Sequence, residues 1–259
     1  MSDASSRRAT RARHDALVVL LQDGVNGVDA LADRVGVSAS TVRRDLARLQ
    51  REGRIARTYG GALVRDGFTE RSFGESAQLN QAAKAAIADA ALDLVPPGGT
   101  VFLDAGTTCL ALARRLVDRG PLTVVTRGLE AAQLLVRGEQ VTVTLLGGDV
   151  RPLSHGLVGP LATLTLQRLT VDVAFLGADA VDPERGLGEP TAEETYVKEV
   201  AASRATDVVI LADGSKLGPA TLQAWLPLEP AWTVVTDATA SVAAVERLRS
   251  DGVRVAVSD

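Results

Sequence analysis

The sequence predicts an α/β chain in two parts, a small helical N-terminal domain and a larger domain whose strands and helices alternate around a largely parallel sheet. Three observations predict it. Apolar residues recur at helical spacing through the first 50 positions, β-rich apolar runs alternate with helical patterns from residue 100 onward, and charge divides between the two parts. Residues 1–66 carry 12 Arg against 8 Asp or Glu, a net of +4, whereas the remainder carries 16 Lys or Arg against 24 Asp or Glu, a net of −8. A basic segment ahead of an acidic body suggests that only the first part meets a polyanion.

In the first part, Leu17, Leu20 and Leu21 share a helical face, as do Val28, Leu31, Ala32 and Val35. Gly36-Val37-Ser38 interrupts the pattern, with Ser38 as N-cap of the stretch ASTVRRDLARLQREG and Gly53 as its stop. At about 100° per residue, Val42, Leu46 and Leu49 turn inward. Thr41, Arg44, Asp45 and Arg48 fall opposite, with Ser40 and Arg51 at one edge and Arg43 on the other flank. Hydroxyls and arginines near a helix N-terminus suit a major-groove helix, since guanidinium forks pair with guanine and hydroxyls hold phosphates. A solvent face on which Asp45 pairs with Arg44 or Arg48 is the alternative. RIARTYGGALV then reads as a hairpin wing carrying Arg57 and Tyr59 toward the DNA backbone or minor groove, with Tyr59 alternatively a packing residue. Residues 1–64 are thus expected to form a winged helix-turn-helix domain that binds double-stranded operator DNA. One such unit reads a half-site, so a homo-oligomer is expected.

Residues 65–75, RDGFTERSFGE, read as a linker, and 76–259 as the second domain. An amphipathic stretch from about Ser76 to Leu94 ends at Pro96-Pro97-Gly98-Gly99. Strand-like runs follow at 100–105, 122–126, 141–146, 171–178, 207–212, 232–236 and 253–257, with helical patterns between most of them. Their continuous apolar character predicts strands buried on both faces of a largely parallel sheet.

In such sheets ligands sit at the C-terminal strand ends, and the polar residues cluster there. LDAGTT (103–108) combines Asp104, Gly106, Thr107 and Thr108 ahead of a helical pattern, so hydroxyls, backbone N–H groups and a helix dipole converge as a phosphate would require. An ordinary βα turn with a threonine cap is the alternative. Thr126 and Arg127, Gly147, Gly148 and Arg151, Asp179, and Asp213 with Lys216 stand at four further strand ends. Together they suggest a small, polyhydroxylated, anionic ligand. Only three lysines occur among 28 basic residues. Lys216, in a Gly-Ser-Lys turn, is placed to meet a phosphate or oxyanion; Lys84 and Lys198 fall in helical patterns and read as structural or interfacial.

Other classes are not indicated. No apolar run reaches 18 residues, and the start lacks the apolar stretch of a secretory signal, so a cytoplasmic protein with no membrane partner is expected. Cys109 is the single cysteine, and His14 and His155 lack ligand spacing, so no structural metal is expected. No Walker or dinucleotide glycine pattern points to a catalytic cofactor.

The stretch STVRRDLARLQREGRIARTYGGA resembles the winged helix-turn-helix signature of DeoR-family transcriptional regulators, through Thr41, Arg43, Arg44, Asp45 and Leu46 and then Arg57, Gly60, Gly61 and Ala62. The resemblance runs from about Arg13 to Leu217 and includes Asp104, Gly106, Thr107 and Thr108, the Gly147-Gly148 turn, Gly177, and Asp213 with Lys216. It implies a second domain similar to the ribose-5-phosphate isomerase fold that senses a phosphorylated sugar, most often in a repressor of carbohydrate-metabolism genes. Two positions depart from the family pattern. Arg127 stands where many members have Asn, adding a cation beside the site, and Phe73 is followed by Gly-Glu-Ser where an Arg is usual. The competing reading is a sugar-phosphate isomerase using Asp104, Asp179 and Lys216, but such an enzyme has no use for a DNA-reading head.

Overall fold

A computed structural model of the chain describes residues 13, 14, 16–21, 25, 27–51, 55–58, 61–64 and 70–258. The chain divides into two compact units, Met1–Thr69 and Glu70–Asp259.

In the first unit, residues 13, 14 and 16–21 belong to α1, followed by α2 (Val28–Val35) and α3 (Ala39–Arg51). Gly36 ends α2 in the left-handed region, φ 68°, and its amide reaches back to the Ala32 carbonyl at 2.9 Å. A side chain there would be strained, so glycine sets the turn. Ser38 opens α3 by accepting from the Thr41 amide at 3.3 Å. Leu17, Leu21, Leu31, Val42, Leu46 and Leu49 bury together as the core of this unit, each contributing about 1.5–3 kcal/mol of apolar transfer. The predicted wing is an antiparallel pair of β1 (Ile55–Thr58) and β2 (Gly61–Val64), pairing Ile55 with Val64 and Thr58 with Gly61.

The second unit starts earlier than the linker reading implied. Helix α4 (Phe73–Gln78) begins inside residues 65–75 because Ser72 and Glu75 form a reciprocal capping box, Glu75 N–H to Ser72 Oγ at 3.3 Å and Ser72 N–H to Glu75 Oε2 at 3.0 Å. The amphipathic stretch expected over 76–94 is broken at Asn80, φ 51°, into α4, α5 (Gln81–Ala91) and a 3₁₀ turn at Leu92–Leu94. Lys84 secures the break by donating to the Ser76 and Leu79 carbonyls at 2.6 and 2.9 Å. Burial, with Lys216 nearby, lowers its ammonium to about 8.

All seven strand-like runs form one parallel sheet in the order β14-β13-β11-β8-β3-β4-β5. These strands are β3 (Thr100–Leu103), β4 (Leu122–Thr126), β5 (Val141–Leu145), β8 (Val171–Gly177), β11 (Ala205–Leu211), β13 (Thr233–Asp237) and β14 (Arg254–Ser258). Successive residues face opposite layers. Phe102, Ile210 and Val234 enter one core, whereas Val101, Leu103, Val209, Leu211 and Val235 enter the other, under α5 and α6 (Thr107–Leu116). Both faces of the sheet are covered, which is why its inner strands read as nearly unbroken apolar runs, while the edge strands β5 and β14 are partly exposed. Helices α7 (Leu129–Leu135), α8 (Pro160–Leu166), α9 (Ala192–Ser203) and α10 (Val242–Ser250) complete the layers.

Two small antiparallel pieces were not evident in the sequence: a ribbon of β6 (Asp149–Val150) and β7 (Leu157–Val158), and a sheet in the order β12-β10-β9 from Ala224–Leu226, Gly186–Glu189 and Ala180–Asp182. Strands of two to four residues carry too little periodicity to read. The main sheet reverses its direction of growth between β3 and β8, so their C-terminal ends form the crevice where such folds hold ligands. Among the described residues no helix is long and apolar enough to cross a membrane.

Candidate nucleic-acid interface and anion site

On α3, Ser38, Ser40, Arg43, Arg44 and Arg48 are exposed and Thr41 is half-buried. The Ser38 hydroxyl lies 2.9 Å from both the Ser40 and Thr41 hydroxyls, a cluster of small polar groups at the helix start. Arg44 lies one turn after Ser40, its Nε 3.4 Å from the Ser40 carbonyl. Arg57 lies on β1 with its side chain outside the described residues, as is Tyr59 altogether.

Asp45 is a correction to the expected outer face. It is buried and accepts from Arg13 Nε at 2.7 Å and from the His14 ring at 3.1 Å, so it ties α3 to α1 and pairs with neither Arg44 nor Arg48 in the contacts it makes. Its position beside Leu46 puts it at the rim of the apolar stripe, which α1 covers. Burial acts to raise its carboxyl, but the hydrogen bonds and charges of Arg13 and His14 prevail and hold it below the ordinary range.

At the crevice of the second unit, Asp104 follows β3 and is wholly buried. One carboxylate oxygen takes Arg127 Nε and the Ala105 amide (2.8 Å), and the other takes Lys198 Nζ (2.5 Å) and the Gly177 amide (3.0 Å). Burial opposes its charge, but Arg127 and Lys198 hold the carboxyl well below its usual range. Reciprocally, Asp104 outweighs the burial of both cations and keeps them charged. Lys198, on α9, also donates to the Gly177 carbonyl at 2.7 Å and meets Glu189 at 2.8 Å. Burial pushes the Glu189 carboxyl up to about 8 despite that lysine.

Three expectations change here. Asp104, Thr126 and Arg127 lie beneath the surface: they are 0–2% exposed, and the Thr126 hydroxyl holds the Gly128 amide at 3.0 Å. They form the floor beneath the loop. Arg127 does not add a free cation, because Asp104 occupies its Nε, although its Nη1 is buried without a hydrogen-bond partner. Lys198, read as structural or interfacial, lies at the centre of this network. With it come Glu189 and Glu194, which the sequence reading missed. The signal available was the Glu194–Lys198 spacing of four on one helix face, ahead of which Glu189 ends an otherwise apolar strand.

Above that floor stand the start of α6, Lys216 and Asp179. Gly106, φ 104°, lets the chain turn into α6, whose N-terminus no side chain caps; Thr107 is half-buried and Thr108 buried. The first amides of that helix lack intrahelical acceptors and carry the positive end of its dipole. Lys216 and Asp179 are about 30% exposed and 3.4 Å apart, and Lys216 also donates to the Ala178 carbonyl. Asp213 is buried and occupied by Asn80 (2.9 Å) and the Ser215 amide (3.2 Å), so it shapes the turn that presents Lys216. Gly148, φ 134°, lies where a Cβ would fall 2.2 Å from the Val158 carbonyl, so it permits the β6–β7 ribbon to close. Arg151, in the loop after β6, meets Glu70 Oε2 at 2.6 Å and Glu194 Oε2 at 3.2 Å.

Residues 13–67 match the model of the DeoR-like helix-turn-helix domain and residues 79–238 that of the DeoR C-terminal sensor domain. The chain is 37% identical over 248 residues to the HTH-type transcriptional regulator GlpR of Haloferax volcanii, covering 95% of this chain and 96% of that protein. It is 33% identical over 261 residues to the putative aga operon transcriptional repressor of Escherichia coli O157:H7, covering 98% and 97%. It is also 33% identical over 234 residues to the transcriptional repressor AccR of Agrobacterium fabrum, covering 88% and 90%. Among solved structures, ribose 5-phosphate isomerase A from Methanocaldococcus jannaschii superposes distantly, with a TM-score of 0.40 at 23% identity over 53% of this chain and 54% of that one. With both domain models matched in order and relatives alike along nearly their whole length, the chain belongs to the DeoR family of DNA-binding transcriptional regulators.

Proposed function

We propose that the chain is a repressor that leaves its operator when a phosphorylated sugar binds at the C-terminal ends of β3 and β8. The observation that carries the reading is the uncapped N-terminus of α6, with Thr107 and Thr108 in its first turn, set over a buried Arg127 whose Nη1 has no hydrogen-bond partner. Lys216 supplies an accessible cation and Asp179 an acceptor for sugar hydroxyls. Repression is supported by the names of relatives in Escherichia coli and Agrobacterium fabrum. Membership of a regulator family sets the isomerase reading aside.

On this reading Arg44 and Arg48 face bases, while Ser38, Ser40, Thr41, Arg43, Arg57 and Tyr59 meet the DNA backbone or groove walls. The chain acts in the cytoplasm as a homo-oligomer whose copies read two half-sites. Effector and operator are linked through populations of two states, with a coupling of about 1–3 kcal/mol.

A thermal-shift series against phosphorylated sugars tests the sensor. Ligand at about 100 times its Kd adds roughly 2.7 kcal/mol, which for a unit of this size raises Tm by about 5–11 °C. Lys216→Ala is expected to keep operator binding and lose release by the same compound; release at the wild-type concentration refutes the assignment. Arg44→Ala is expected to cost about 1–3 kcal/mol and relax base preference, and an equal loss on operator and random DNA removes the base-reading role.

A further inference from the structure

The loop between β6 and β7 touches the candidate anion site on one side and the first residues of the sensor unit on the other. On the site side, Leu157 N–H donates to the Arg127 carbonyl at 2.8 Å, and Gly156 lies where a Cβ would fall 2.5 Å from Arg127 Nη1. Only glycine lets the loop lie that close to the guanidinium. On the other side, Arg151 holds Glu70, the Phe73 amide donates to the Leu153 carbonyl at 2.6 Å, and the Phe73 and His155 rings stack at 5.2 Å and 13°.

Glu70 is an uneasy occupant of this place. Its Oε2 has Arg151, but its Oε1 is buried without a hydrogen-bond partner. Burial raises its carboxyl, and the nearby charges of Glu194 and Asp179 raise it further; Arg151 is what opposes them. Arg151 in turn has its Nε turned to Glu194 and its Nη2 to Glu70. Two carboxylates thus already lie against this half-buried guanidinium, and a third anion brought to it meets like-charge repulsion from both.

We propose that Glu70 is an internal competitor for the anion site: it occupies the Arg151 guanidinium that the anionic group of an effector takes over, so binding the effector frees the Glu70–Phe73 segment. This rests on the anion reading given above and names the device by which that site reports. Glu70 directly follows Thr69, the last residue of the DNA-reading unit, so the released segment is the one that leads the chain into that unit. In the exchange one anion replaces another on Arg151, and its cost is the lost Glu70–Arg151 contact. Removing the competitor therefore tightens anion binding.

The test measures binding of ribose 5-phosphate, glucose 6-phosphate, fructose 1-phosphate, glycerol 3-phosphate and inorganic phosphate by calorimetry on the full chain, comparing wild type, Glu70→Gln and Glu70→Asp. Glu70→Gln keeps the size of the side chain and abolishes its charge; Glu70→Asp keeps the charge and withdraws it by one methylene, so either variant suffices if the other folds poorly. For the compound that wild type binds, the expected result is about tenfold tighter binding by Glu70→Gln, the loss of one charge-assisted contact, and operator release at a correspondingly lower concentration. Affinities of both variants within about twofold of wild type overturn the competitor while leaving the anion site standing. A wild type that binds none of the five overturns both.

Discussion

Replacing Asp104 by Asn tests the buried network where it is densest. The substitution preserves shape and removes one charge from a site of 0% exposure. In the native chain the two carboxylate oxygens serve four donors: Arg127, Lys198 and the amides of Ala105 and Gly177. An asparagine has one acceptor oxygen, so two of those donors meet an NH₂ group, and two buried cations lose their shared anion. Breaking a buried ion pair from one side costs about 3–5 kcal/mol, equivalent to a fall in Tm of roughly 6–20 °C at 2–4 °C per kcal/mol. Both tryptophans, Trp225 and Trp232, lie in the sensor unit, so fluorescence-detected melting of the full chain reads that unit alone. The pH course provides a second check. The folded carboxyl is held below its unfolded value, so its contribution is present above about pH 4 and is lost as pH falls through the folded pKa. Wild type and variant therefore converge in acid. A fall in Tm below about 2 °C at pH 7, or a gap that widens in acid, refutes the charge-network account.

Asp45→Asn is expected to destabilise the DNA-reading unit by about 1–3 kcal/mol, since it weakens the contacts to Arg13 and His14; hydrogen exchange of the α2 and α3 amides measures this, and tighter operator binding with unchanged protection contradicts the buried placement. Glu189 behaves oppositely to Asp104: its carboxyl is raised from an ordinary 4.5 to about 8, so the folded chain holds an extra proton between those values and loses stability as pH rises through them. Glu189→Gln is expected to flatten that loss, seen as a smaller drop in Tm between pH 5 and pH 8.5; an unaltered slope assigns the titration elsewhere. Cys109 is fully buried and its thiol is pushed up by burial and by Asp104, so a thiol reagent is expected to react only as the sensor unit unfolds, and rapid reaction with folded protein refutes this.

The elements that were legible in the sequence share a physical reason. The five inner strands of the parallel sheet are buried on both faces, so their apolar runs are nearly continuous and bounded by turn residues, while the edge strands β5 and β14, partly exposed, are short β-rich runs between the same kinds of turn. Helix α3 was legible because Val42, Leu46 and Leu49 repeat at helical spacing between Ser38 and Gly53, local signals that need no partner. Helix α4 was less visible, since its capping box at Ser72 and Glu75 lies in a polar stretch that composition assigns to a linker. The strand-end loops were legible as a group, because a parallel sheet brings its C-terminal ends together whatever their separation along the chain.

What the sequence by itself determined is this order of elements, the polarity of α3 and the set of loops that converge at one crevice. Tertiary structure alone decided which side chains in those loops face outward and which lie beneath. Asp104, Arg127 and Lys198 come from positions up to 94 residues apart and pair with one another inside the fold, while Asp179 and Lys216 remain partly accessible above them. Asp45 was similarly reassigned by α1, which covers one edge of α3. Charge on a side chain is a property of sequence, but whether that charge is met by a partner or by solvent depends on what packs over it. The affinity of buried ions for each other is realised only when distant elements exclude water from the space between them.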